Sequence, residues 1–93
     1  MPKVSVFVKF FGRVQGVGFR MQVVGLAKKN NIFGWVKNSY PEDLVEAVFC
    51  GEKANIDALI LVLKENTGFM RVDKVVVEDY NSQEEFTSFN IKY

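Results

Sequence analysis

At 93 residues the chain predicts one domain, 1–93, able to bury roughly 65% of its unfolded surface without covalent staples. A net charge of +1 excludes a global field that would draw nucleic acid or an anionic membrane surface, so any strong positive potential must be local. A single cysteine, Cys50, excludes an internal disulfide framework, and no apolar stretch approaches the ~20 residues of a membrane-spanning helix.

In chain order, Val4, Val6, Val8 and Phe10 alternate with Ser5, Phe7, Lys9 and Phe11, which predicts a strand over 4–11 with one face more apolar than the other. A glycine-rich turn follows. From about Phe19 the period changes, and Phe19, Val23, Leu26 and Ala27 share one helical face. Lys28, Lys29 and Asn30 close that helix with the cationic end its dipole favours. Gly25 within it costs about 1 kcal/mol against alanine, so a close packing neighbour is expected there. Residues 33–37 read as a second strand and 44–50 as a third, joined by a turn-forming stretch over 38–43. Cys50 lies in this third apolar run and is expected to be a buried, inert thiol.

Ile56, Leu59, Ile60 and Leu63 form the stripe of a second helix, with Asn66, Thr67 and Gly68 as its expected end. Residues 72–80 are strand-like, 82–85 a polar loop, and 89–93 a short closing strand. Most of the nine phenylalanines are expected in the core. The order β-α-β-β-α-β plus a terminal strand suits an α+β fold. With right-handed crossovers it becomes a ferredoxin-like sandwich, two helices on one face of an antiparallel sheet. With no apolar core of a signal peptide at the N-terminus, the expected location is cytoplasmic.

The turn after the first strand carries the chemistry. In Gly12-Arg13-Val14-Gln15-Gly16-Val17-Gly18-Phe19-Arg20, a glycine-rich loop runs from a strand into a helix N-terminus. Such loops aim several backbone N–H groups at one spot, and the positive end of the helix dipole, roughly half a charge, favours an anion there. Two glycines alone more often make a plain tight turn. A turn, however, has no use for the guanidinium of Arg20, whose planar fork suits phosphate oxygens. The glycines either supply positive φ or leave room for a ligand, and the Gln15 side chain either bonds within the turn or meets solvent. Asn38, at a strand end, is by itself an ordinary turn residue, although its amide can donate and accept as a water-orienting group must.

Other phosphate-binding patterns fit worse. A Walker loop would need Gly-Lys-Ser/Thr where the chain has Gly18-Phe19-Arg20, and a dinucleotide fingerprint would need glycine at Met21. A cysteine phosphatase loop would need arginine where Ile56 stands.

The segment 12–20 resembles the signature of the acylphosphatase family, small enzymes that hydrolyse the carboxyl-phosphate bond. Gly34-Trp35-Val36-Lys37-Asn38 resembles that family's second signature, and the separation of Arg20 from Asn38 resembles its spacing. Weaker similarity runs through Val45-Glu46-Ala47-Val48 and Phe89-Asn90-Ile91-Lys92-Tyr93. The resemblance implies the same ferredoxin-like fold. It implies that backbone amides of Gln15, Gly16, Val17, Gly18, Phe19 and Arg20 hold the phosphate, that Arg20 grips its oxygens, and that Asn38 positions the attacking water.

The residues that are missing agree with that substrate class. The chain has no histidine, no Cys/His metal spacing and no recognisable magnesium motif, so no metal or cofactor is expected. Amides, one arginine and one asparagine can stabilise charge and place a nucleophile, yet they include no general acid. That suffices when the leaving group departs unprotonated, as a carboxylate does from an acyl phosphate. The expected partners are therefore a small acyl phosphate and inorganic phosphate, with no nucleic acid or membrane, and a monomer is the default.

After Asn38 the chain departs from its relatives. They turn through a short loop containing Asp-Gly, whereas Ser39-Tyr40-Pro41-Glu42-Asp43-Leu44 is about one residue longer, lacks glycine and adds two negative charges. Two rival functions compete with catalysis. Ferredoxin-like sheets also bind single-stranded RNA through exposed aromatics, for which Phe7 and Phe11 are candidates, but the third strand lacks the basic-aromatic signature. Acylphosphatase-like domains also occur within larger carbamoyl-handling maturation proteins. A chain ending with the domain favours a freestanding enzyme.

Overall fold

The alternation of Val4, Val6, Val8 and Phe10 becomes β1 (Lys3–Arg13), the strand against which everything else is registered in the computed structural model. The structure describes residues 3–16, 18–40, 44–65, 70–81 and 84–92. After β1 come α1 (Phe19–Lys29), β2 (Phe33–Ser39), β3 (Leu44–Glu52), α2 (Lys53–Leu63), β4 (Arg71–Asp79) and β5 (Phe89–Ile91). The expected segment 66–68 at the end of α2 lies outside the described residues, and the helix itself stops at Leu63 with Lys64 as its cap.

The strands lie in the order β4-β1-β3-β2-β5. β1 pairs antiparallel with β3 (Val8 opposite Ala47, Phe10 opposite Val45) and with β4, and β2 pairs antiparallel with β3. β5 instead runs parallel to β2, Gly34 opposite Phe89, so the sheet is mixed rather than wholly antiparallel. Strand direction explains this. β4 finishes beside the start of β1, where Tyr80 N–H donates to the Ser5 carbonyl at 3.0 Å, and β2 starts at that same end. A chain crossing from there to the far edge sets out in the direction of β2.

Both helices cover one face. Val8, Phe10, Val36, Ala47 and Phe49 from the sheet are buried against Phe19, Val23 and Ala27 of α1 and Ile56, Leu59 and Leu63 of α2. Each large apolar side chain buried this way contributes about 1.5–3 kcal/mol before chain entropy is counted. Asn30 closes α1 by donating from Nδ2 to the Leu26 carbonyl at 2.7 Å. The close neighbour expected at Gly25 is not there. The position is exposed, with no atom within 4 Å of where a Cβ would sit.

No described helix lies on the other face of the sheet, and that face holds more aromatic surface than the sequence pattern suggested. Phe10, Phe19, Phe49 and Phe89 are buried, but Phe7, Phe11 and Phe86 are half-buried and Phe33 is exposed. Phe7 meets Trp35 at 6.3 Å and Tyr80 at 6.5 Å between ring centroids. Lysines lie over these rings, Lys92 at 4.8 Å and Lys37 at 5.6 Å above Trp35, and their stems cover apolar surface while the ammonium groups stay in water. Cys50 belongs to this face, paired with Ser5 on one side and Phe33 on the other, and is half-buried rather than buried.

Candidate active site

β1 and β2 both run antiparallel to β3 and flank it, so they are parallel to each other and end at the same edge of the sheet. With neighbouring strands ~4.8 Å apart, their ends are separated by roughly 10 Å. The loop leaving β1 crosses this edge and enters α1 at Phe19. Arg20, second in α1, and Asn38, next to last in β2, are thereby brought to one end of the molecule although 18 positions apart in the chain.

Buried residues pin the loop at both ends. Val14 is 1% exposed, and Phe19 packs edge-on against Phe10 with centroids 5.2 Å apart. Between them the chain turns through Gly16 at φ 72° and Gly18 at φ 83°, both left-handed. Nothing lies within 4 Å of a Cβ built on either one, so what demands glycine here is the backbone conformation and not the room around it. Val17 lies outside the described residues.

Gly18 is the N-cap of α1. This N-cap makes no side-chain cap hydrogen bond, and no acidic residue occupies the first turn. The first helical bond runs from the Gln22 N–H to the Gly18 carbonyl at 3.1 Å. Helix starts have N–H groups with no acceptor inside the helix, and one without a side-chain cap presents them to whatever anion approaches. Arg20, half-buried, projects from this first turn.

On the other side of the edge, Asn38 is opposite Val45 and two residues beyond buried Val36, so its side chain belongs to the helix-covered face. Its Oδ1 is buried and has no hydrogen-bond partner among the described residues. An acceptor in that state costs about 1–3 kcal/mol, which proteins accept mainly where a ligand or water supplies the donor.

Gln15 has a definite place that spacing could not reveal. Its Nε2 donates to the carbonyl oxygens of Ser39 at 2.8 Å and Leu44 at 2.9 Å, bridging the end of β2 and the start of β3. Tyr40, at the head of the intervening loop, is 75% exposed. Pro41, Glu42 and Asp43, the stiff and acidic part of this loop by sequence, lie outside the described residues. Among the described residues no three His, Cys, Asp or Glu side chains come together as a metal site. No helix there is long and apolar enough to cross a membrane.

Residues 6–91 match the family model described as Acylphosphatase. The chain is 36% identical over 91 residues to an acylphosphatase of Geobacter sulfurreducens, covering 98% of this chain and 99% of that one. It is 44% identical over 92 residues to a probable carbamoyltransferase HypF of Methanocaldococcus jannaschii, where the match spans 96% of this chain but 12% of the relative. The crystal structure of acylphosphatase from Bacillus subtilis superposes with a TM-score of 0.89 at 32% identity, covering 97% of this chain and 99% of that one. With both signatures at one edge of a shared fold, this chain belongs to the acylphosphatase family, enzymes of acyl phosphate hydrolysis.

Proposed function

We propose that the protein hydrolyses the carboxyl-phosphate bond by direct in-line attack of water on phosphorus, with neither metal nor covalent intermediate. The phosphoryl group rests on the backbone amides of Gln15, Gly16, Val17, Gly18, Phe19 and Arg20, and the Arg20 guanidinium takes its equatorial oxygens. The observation that carries this is the buried Asn38 Oδ1, unpartnered among the described residues, at the same sheet edge as the start of α1, whose N-cap Gly18 offers no side-chain cap. That oxygen accepts a hydrogen bond from the attacking water and so aims the water's lone pair.

Water oxygen bonds to phosphorus as the bond from phosphorus to the acyl oxygen breaks, its electron pair leaving on the carboxylate. The water proton passes to a phosphate oxygen of the substrate, which serves as base. Products are carboxylate and inorganic phosphate. Nothing protonates the leaving group, and the chain's lack of histidine is consistent with chemistry that requires no such donor. The same reading takes the protein as a cytoplasmic monomer without nucleic-acid or membrane partners, which sizing by light scattering begins to test.

The deciding experiment is hydrolysis of benzoyl phosphate with excess chelator, comparing the intact protein with Arg20→Ala. Turnover that survives chelation and is lost in the folded variant supports the mechanism. Turnover that needs added metal, or that survives in Arg20→Ala, overturns it. The likeness to a carbamoyltransferase at 44% identity favours including carbamoyl phosphate, itself a carboxyl-phosphate anhydride, among the substrates tried.

A further inference from the structure

The Gln15 side chain joins two halves of the site that the chain keeps 24 and 29 residues apart. Ser39 and Leu44 are the last facing pair of the β2–β3 ladder, so their carbonyls mark the mouth of the hairpin whose loop follows Asn38. One amide nitrogen carries two N–H groups, and each is directed at one of these carbonyls. Gln15 is itself fixed at the cradle end, between buried Val14 and left-handed Gly16.

Asn38 needs such a brace. Among the described residues no donor holds its buried Oδ1 in place. Its aim then depends on the backbone at 38–39, and the Ser39 carbonyl belongs to that backbone.

Resting on the mechanism proposed above, we infer that Gln15 is a positioning residue. Its side chain clamps the mouth of the β2–β3 hairpin to the phosphate cradle and thereby sets the distance between the Asn38 oxygen and the bound phosphoryl group. A displacement near 1 Å in such a geometry lowers rate by up to about 100-fold.

The variant is Gln15→Leu, which keeps the backbone amide and most of the side-chain volume but removes both donors. With benzoyl phosphate, kcat is expected to fall roughly 10- to 100-fold, on the scale of such a misplacement. Inhibition by inorganic phosphate should stay within about two-fold of the parent, since the cradle amides remain. In an Asn38→Ala background the same substitution should cost almost nothing more, because the residue it positions is gone.

A purely structural Gln15 would lower the melting temperature, leave kcat intact well below it, and add its effect independently of Asn38. Unchanged kcat, a loss of phosphate affinity, or full additivity with Asn38→Ala each overturns the proposal. A readout independent of turnover is the Asn38 side-chain amide signal in an NMR spectrum. It should shift or broaden in Gln15→Leu while signals from core residues such as Ala27 stay in place, and an unmoved Asn38 signal refutes the clamp. Absence of turnover in the parent would count against the proposed mechanism, and the NMR comparison would still decide whether Gln15 positions Asn38.

Discussion

Phe10 in the middle of β1 and Phe19 at the first position of α1 meet edge-on, their ring centroids 5.2 Å apart. Both are essentially buried, at 0% and 2% exposure, so this contact ties the start of the helix to the sheet. The phosphate cradle proposed at that helix start is therefore supported by the core itself. Phe19→Ala should destabilise the protein by about 3–5 kcal/mol, the range for an aromatic deletion that leaves a cavity. Urea denaturation measures this. A loss below about 1 kcal/mol would mean that the helix start is held by something else.

Arg20 is the group expected to meet the phosphoryl oxygens, so its effects should be visible without chemistry. A charge-assisted hydrogen bond is worth about 1.5–3 kcal/mol, so Arg20→Ala should weaken inorganic phosphate roughly 10- to 150-fold. Arg20→Lys keeps the charge but not the planar fork, and it should fall between the two. Calorimetric titration with phosphate gives all three values. Equal affinity in Arg20→Ala and the parent would remove the guanidinium from the site.

Glycine-to-alanine substitutions at two positions should have opposite signs. Gly18 sits at φ 83°, and a Cβ there costs roughly 1–2 kcal/mol in backbone strain although space is available for it. Gly25 is helical, exposed and free of neighbours, so alanine there should stabilise by roughly 0.5–1 kcal/mol. For a domain of this size each kcal/mol moves the melting temperature by about 4–8 °C. The thermal melts should therefore shift down for Gly18→Ala and up for Gly25→Ala. A downward shift at Gly25 would reveal a need for glycine in the middle of α1.

These contrasts show what the sequence could and could not express. Period-2 alternation located β1, and an i, i+3, i+4, i+7 stripe located α2, because each repeats along enough chain to be recognised. β5 is three residues long, too short for a period to show, and its parallel direction depends on where β4 ends. Alternation put Phe7 and Phe11 on the less apolar face of β1, which is the side without helices, whereas the continuous apolar run of β3 gave no sign that Cys50 shares it. Arg20 and Asn38 were legible as a helix-start arginine and a strand-end amide. That they share an edge follows from β1 and β2 both flanking β3, a fact of topology. The two carbonyl partners of Gln15 lie too far along the chain for any local pattern to disclose.

Asn38 offers the sharpest separation between structure and function. Its Oδ1 is buried and unpartnered among the described residues, and such an acceptor costs about 1–3 kcal/mol. Removing it should therefore leave the fold no less stable, whereas the proposed chemistry loses its water-orienting group. Asn38→Ala should melt at or above the parent temperature, bind inorganic phosphate as before, and lose nearly all turnover of benzoyl phosphate. The three measurements fail differently. A lowered melting temperature would assign Asn38 a structural bond, and weakened phosphate binding would move it into the cradle. Preserved turnover would leave the attacking water to another group. Only the combination of intact stability, intact phosphate affinity and lost turnover fits an oxygen kept unsatisfied so that a water can satisfy it.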